Sequence, residues 1–284
     1  MRLCRKVALL LLCTAALSLS ACSIKLAYNM LDNLMAWELS RYVDLKGEQK
    51  KLARELIDDF HSWHRKTQLT RYADYLETLK NGLYGKTVSA DYLHAKSDEL
   101  QDLLDDSMDY LAPALAQLAA SLSEKQIEQV CKQLEKDRDK YRKDYIDDKR
   151  EDIQRRRIRD LKRYIGPFFG RFEDEQEKIL KDWDNTLEPY ATLMLAQQRL
   201  WQEDFLQAMA VRDNAEKLRP ALAKLMLHRT DSWDPKLQKA LDQNQTLTFE
   251  TLAKLFNSQS PRQQEVLKAK FDDYIDTLRD LAKG

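Results

Sequence analysis

Turn-forming residues are scarce in this chain: six glycines and six prolines are spread over 284 residues, about a third of average usage. β-Sandwiches and barrels need a tight turn roughly every eight to twelve residues, and those turns depend on glycine, proline and short polar residues. The glycine-rich strand-to-helix junctions of nucleotide-binding α/β folds are equally out of reach. Long helices remain. Hydrophobic residues make up 43% of the chain and charged residues 33%, enough for a sizeable core beneath a strongly charged surface. Apolar residues recur at steps of three and four, and no segment alternates at period two over strand length. The expected fold class is therefore all-α, an extended multi-helix bundle of long antiparallel helices with no sheet.

The first helical run covers about 26–45, with Leu31, Met35, Leu39 and Tyr42 on one face. A second, about 48–66, repeats Leu52, Leu56, Phe60 and Trp63. The next apolar set starts at Tyr72. Nine residues at ~100° each put it half a turn out of phase, so a break is expected between Lys66 and Thr70. Asn81 to Gly85 reads as a turn. Ser89 or Asp91 then caps a helix carrying Leu93, Leu100, Leu103, Leu104 and Leu111, kinked or ended near Pro113. Residues 123–165 form the longest uninterrupted pattern, a helix of roughly 60 Å ending at Gly166-Pro167. Further helices are expected at about 171–213 (bent or broken near Pro189), 215–229, 235–244, 248–257 and 261–282.

Arg2, Arg5 and Lys6 precede an apolar run from Val7 to Leu19. Thirteen helical residues cover roughly 20 Å, too short for a ~30 Å hydrocarbon core, so the run reads as a signal-peptide core. It ends Leu19-Ser20-Ala21-Cys22, which is similar to a bacterial lipobox. The resemblance implies cleavage between Ala21 and Cys22 and lipidation of Cys22. Several acyl chains are enough for stable membrane anchoring. Ser23, in place of the aspartate that retains lipoproteins in the inner membrane, implies sorting to the outer membrane, facing the periplasm. Residues 1–21 are thus an expected leader, and 22–284 a single elongated helical domain, with two sub-bundles expected to meet near 166–171. The leader removes three of the 47 basic residues and none of the 47 acidic ones, leaving a mature net charge of −3. Cys4 and Cys13 leave with it. Cys131 is then the one free thiol, next to Val130 and four residues from Ile127, where it reads as a small buried hydrophobe.

One short pattern recurs. Leu45-Lys46-Gly47-Glu48-Gln49, Leu122-Ser123-Glu124-Lys125-Gln126, Phe172-Glu173-Asp174-Glu175-Gln176 and Ser260-Pro261-Arg262-Gln263 each open a helical run. In the pairs Ser123/Gln126 and Ser260/Gln263, serine precedes glutamine by three, the spacing of a capping box. Pro261 at the first helical position strengthens the last. The pattern resembles the Leu-Thr-x-x-Gln motif of Spy-like periplasmic chaperones, which implies a holdase for unfolded or outer-membrane clients. A wider resemblance covers most of the mature chain. Tyr28-Asn29, Tyr42-Val43-Asp44-Leu45 with Gln49, Trp63-His64-Arg65 before Tyr72-Ala73, Arg199-Leu200-Trp201 and the Ser260 to Gln263 box together resemble a proteobacterial lipoprotein family of unknown function. That resemblance implies a lipid-anchored helical protein and assigns no activity. The family pattern has a proline just before the Tyr72 helix, where this chain has Thr70.

Chemistry-bearing constellations are few. His61 and His64 share a helix face, but a transition-metal site needs three or four ligands, and no metal or cofactor is assigned. Trp63, His64 and Arg65 are candidate binding residues or fixtures of helix packing. No G-x-S-x-G, S-x-x-K or phosphate-cradling glycine loop occurs, so no catalytic residue is named and a non-enzyme is expected. Asp98, Asp102, Asp105 and Asp109 align on one helix face, whereas Arg155, Arg156, Arg157, Arg159, Lys162 and Arg163 form a basic run. These charges are solvated or mutually attracting faces, or Arg155, Arg156, Arg157 and Arg159 form a docking patch for anionic lipid, peptidoglycan or an acidic protein. Balanced charge argues against a nucleic-acid partner. The sequence as a whole reads as an outer-membrane-anchored periplasmic lipoprotein, a helical binding or scaffold protein with a protein partner in the envelope. Its oligomeric state is not specified by these patterns.

Overall fold

Twelve α-helices carry the chain in the computed structural model, which describes residues 21–226, 230 and 233–284. They are α1 (Ala21–Asn29), α2 (Leu31–Tyr42), α3 (Gly47–Thr67), α4 (Leu69–Leu83), α5 (Ala90–Ala120), α6 (Glu124–Arg142), α7 (Arg150–Ile165), α8 (Asp174–Thr186), α9 (Ala191–Ala210), α10 (Ala215–Met226), α11 (Pro235–Asn257) and α12 (Pro261–Lys283). No strand occurs among the described residues, and the fold is all-α. Residues 1–20, on which most of the expected leader falls, and the side chains of residues 21–23 lie outside the described residues.

Two apolar cores organise the helices. The first gathers Ala73 and Leu83 of α4, Leu93 of α5, Ile165 of α7, Leu180 of α8, Leu255 and Phe256 of α11, and Leu267, Phe271 and Ile275 of α12. The second gathers Val43, Ala116 of α5, Leu122, Ile127 of α6, Phe205 and Met209 of α9, and Leu218, Leu222 and Leu225 of α10. A smaller cluster, Met194, Trp233, Leu237 and Leu241, lies against Tyr141, Tyr190 and Leu193. Helix α5, ~46 Å long at ~1.5 Å per residue, contributes to both cores. Cross-helix pairs fix antiparallel packing. Lys80–Asp272 (2.7 Å) and Arg279–Asp74 (3.3 Å) align α4 against α12, and Arg138 to Gln202 with Arg212 to Glu124 aligns α6 against α9.

Several boundaries match their local chemistry. Helices α3 and α4 meet at Gln68, where the phase break falls. The Ser89 hydroxyl accepts from the Tyr92 amide at 3.1 Å and caps α5. The chain is extended at Leu187 between α8 and α9. The turn after α4 begins later than expected. Helix α4 runs through Gly82, where a Cβ would lie 1.9 Å from the Tyr92 hydroxyl, so that glycine serves a close helix contact. Gly85, at φ +65, makes the turn.

Two expectations are corrected. The helix expected over 123–165 is two helices: α6 ends at Arg142, a π turn covers Lys143–Asp147, and Asp148 and Lys149 are extended. Arg156 holds this bend, donating to the Asp144 carbonyl and pairing with Asp148 at 2.7 Å. Of the kink or end expected near Pro113, the end does not occur: Pro113 lies inside α5, which runs on to Ala120. The two helices expected at 235–244 and 248–257 are one, α11. The stretch 166–171 lies within the first core, where Phe169 is 1% exposed.

Candidate functional site

The four glutamine motifs become two pairs. Gln49 Nε2 donates to Gln126 Oε1 at 2.9 Å, and Gln126 Nε2 returns a bond to Gln49 Oε1 at 2.7 Å. Gln176 and Gln263 make the same reciprocal pair, 2.9 Å each way. Each Oε1 also accepts its own N-cap amide, from Lys46, Ser123, Glu173 or Ser260, at 2.9–3.2 Å. Each Nε2 also donates to a carbonyl two residues before the partner's N-cap: Ser121 for Gln49, Asp44 for Gln126, Ser258 for Gln176 and Arg171 for Gln263. Two helix N-termini are thus locked head to head twice over, with the same wiring. Ser121 and Ser258, each two residues before an N-cap, both donate a hydroxyl back three residues, to Leu118 and Leu255.

The glutamines are buried to different degrees. Gln176 is 1% exposed and Gln263 4%, whereas Gln49 is half-buried against Gln126 at 7%. Buried amides cost little only when every donor and acceptor is matched, and here they are. The motif read from sequence as four helix starts is the hardware that joins α3 to α6 and α8 to α12.

A second cluster docks the N-terminal helix. Tyr28 of α1 reaches His64 Nδ1 at 2.9 Å, and its ring lies 4.9 Å from the His61 ring. Arg65 sits over the Tyr28 ring at 5.0 Å and donates to Asn29 Oδ1 (2.8 Å) and to the Leu281 carbonyl (3.3 Å). Trp63 stacks on Tyr110 at 4.0 Å, and His64 also touches Phe60 and Tyr72. Burial raises the Tyr28 pKa, so the phenol stays protonated and shares its hydrogen bond with a neutral imidazole. Desolvation, with a smaller push from His61, brings the His64 pKa down to about 4. His61 is lowered as well, by desolvation first and then by Arg65. Trp63, His64 and Arg65 are therefore brought together as a collar that fastens α1 to the ends of α3 and α12.

This collar has a pH signature. The unfolded chain binds a proton at His64 near pH 6.5 and the folded chain only near pH 4, so stability is complete above pH 6.5 and falls as pH drops toward 4. The loss is about 3 kcal/mol. Urea unfolding at pH 7 and pH 4.5 is expected to show this slope, and His64→Asn, which keeps a polar partner for Tyr28, is expected to flatten it by about one proton. An unchanged slope would remove His64 from the account.

The basic run is occupied within the fold. Arg155 pairs with Asp152, Arg156 with Asp144 and Asp148, Arg157 with Asp184, Arg159 and Arg163 with Asp160, and Lys162 with Glu177. Arg155 and Arg159 remain largely exposed; Arg157 does not, since it meets a buried carboxylate. On the acidic face of α5, Asp98 meets His94 at 3.0 Å and Asp105 accepts from Gln101 at 2.8 Å, and the neighbouring Asp106 pairs with Arg71. Cys131 is half-buried in the second core, and burial raises its thiol pKa, which keeps it protonated. Among the described residues no group of three or more His, Cys, Asp or Glu is placed to hold a metal, and no helix is long and apolar enough to cross a membrane.

Two asparagines that bridge to distant backbone escaped the sequence reading. Asn244, 0% exposed on α11, exchanges two bonds with the backbone of Glu188, at 2.7 and 2.9 Å. Asn257 does the same for Val88, at 2.8 and 2.9 Å. Their signal was present: asparagine is a poor helix former, and Asn244 continues the apolar face of Leu237 and Leu241.

Residues 41–238 match a family of unknown function (DUF6279). The matched span holds the Trp63-His64-Arg65 collar and three of the four glutamine motifs. No curated protein and no solved structure matches the chain.

Proposed function

The chain belongs to this family of unknown function, and we propose that it is a lipid-anchored, periplasm-facing lipoprotein of the outer membrane that serves as a rigid helical binding or scaffold protein in the envelope. One observation carries the reading. Two residues after Cys22 the chain is already inside the fold: Ile24 is 7% exposed, and Tyr28 and Asn29 are fastened by His64 and Arg65. Flexible tethers let a domain swing; here acyl chains on Cys22 would hold the whole body at the bilayer. Such a body, framed by two glutamine locks and carrying no catalytic constellation in its sequence, suits presentation of a surface to a protein partner. The test is crosslinking in intact cells followed by affinity capture through the full chain. An envelope protein whose crosslink depends on Cys22 supports the reading; crosslinks confined to other compartments, or indifferent to Cys22, sink it.

A second reading, a Spy-like holdase, is supported by the recurrence of the motif at four helix starts. Residues 22–284 should then suppress aggregation of a denatured client at near-stoichiometric ratios. Absence of suppression eliminates it.

A further inference from the structure

Helices α1 and α2 carry two apolar faces where a surface helix needs one. The inner face holds Ile24, Tyr28, Leu31, Met35 and Leu39 against the body, with Leu39 joining the second core. The outer face holds Leu26 (62% exposed), Met30 (46%), Leu34 (46%) and Trp37 (61%), four of the eight large hydrophobics exposed among the described residues. Steps of four, four and three put them in one stripe, and packing within the fold does not account for it. Contiguous exposed apolar surface of this kind marks an interaction site.

The position of the stripe points to its occupant. Cys22 stands four residues before Leu26, so its register in α1 falls on the face that Leu26 and Met30 share. The stripe thus runs on from the residue that the reading above, on which this inference rests, gives to the lipid anchor. Its chemistry is interfacial. A tryptophan stands at the far end with the Arg41 guanidinium 5.6 Å over its ring, and Lys25, exposed and 3.8 Å from Asp280, stands at the near end. Tryptophan and snorkelling cations favour the headgroup level. The carboxylates beside the stripe are neutralised: Asp32 by Arg54 at 3.1 Å and Glu38 by Arg41 at 2.8 Å.

We propose that the Leu26–Met30–Leu34–Trp37 face lies in the phospholipid bilayer interface, so that α1 and α2 rest flat on the membrane beneath the anchored body. Fifteen residues separate Cys22 from Trp37 across the Met30 junction, which i to i+4 bonds on either side bridge, a span of at most ~22 Å at ~1.5 Å each. With the collar fixing α1 and with Arg54 and the Tyr42–Asp137 bond (2.9 Å) fixing α2, two contacts that far apart set the tilt of the whole molecule. An interfacial helix beside a covalent lipid is the two-signal arrangement that makes anchoring stable.

The test omits the anchor. Residues 22–284 hold both cores complete; with Cys22→Ser they are mixed with phosphatidylethanolamine–phosphatidylglycerol vesicles whose acyl chains carry bromine. The expected result is quenching of part of the tryptophan emission. Trp37→Phe abolishes that quenching, and Leu26→Glu with Leu34→Glu lowers vesicle partitioning on the order of tenfold or more with the melting curve unchanged. Absence of quenching in the parent, or quenching that survives Trp37→Phe, overturns the proposal. So does a dimer in sedimentation that Trp37→Glu dissociates without any vesicle binding, which would give the face to a second copy. Because the acyl chains are absent here, failure of the lipoprotein reading registers separately, as an unmodified Cys22 in the native chain.

Discussion

Arg157→Ala is expected to cost about 3–5 kcal/mol of stability, the range for stripping one partner from a buried ion pair. The Asp184 side chain is 1% exposed and lies 2.6 Å from Arg157 Nε. With the guanidinium gone, Gln154 Nε2 at 3.1 Å is the main donor left to a carboxylate shut away from water. Arg155→Ala and Arg159→Ala, whose side chains are 72% and 64% exposed, are expected to cost under about 1 kcal/mol. Urea denaturation of the three variants separates the two readings of the basic run. A structural arginine shows the asymmetry. A docking patch shows three near-silent changes in stability with a shared loss of binding. Arg157→Met combined with Asp184→Leu should recover much of the loss, because the penalty belongs to the orphaned charge.

Gln263→Ala is expected to cost about 3–4 kcal/mol. It removes one of the two partners on each side of the buried Gln176 amide and unpairs the part-buried Ser260 N–H and Arg171 carbonyl, at ~1–3 kcal/mol for unmet groups and ~1 for the lost cap. Gln49→Ala, whose side chain is half-buried, should cost about half as much. A Gln176→Ala/Gln263→Ala double variant should lose less than the sum of the singles, with a coupling of about 1–2 kcal/mol. Strict additivity would mean that the four motifs are separate helix starts and that the reciprocal bonds carry no energy.

Fold class was legible because turn residues are too few for anything but helices, and the break at Gln68 was legible because the apolar stripe changes phase there. Ser89, Ser123 and Ser260 announce their helices by local capping chemistry. Other features depend on tertiary partners that no window of sequence contains. Gln49 meets Gln126 across 77 residues and Gln176 meets Gln263 across 87, so the motif could be seen and its pairing could not. The bend at 143–149 holds no glycine or proline to announce it, only weak helix formers such as Asp144, Asp147 and Asp148, and Arg156 holds it by folding back on Asp144 and Asp148. Conversely, polar Asn244 does not end α11, because Glu188 satisfies its amide. The outer stripe of α1 and α2 was hidden behind the inner one, which already explained a helix there.

Anchoring of a rigid body at Cys22 is the claim on which the functional account turns, and intact-protein and N-terminal peptide mass spectrometry of the chain extracted from membranes tests it. The account predicts a mature chain beginning at Cys22, with diacylglycerol on the thiol and an acyl group on the new amine. A chain that retains Ala21, or that begins elsewhere with an unmodified Cys22, would contradict it.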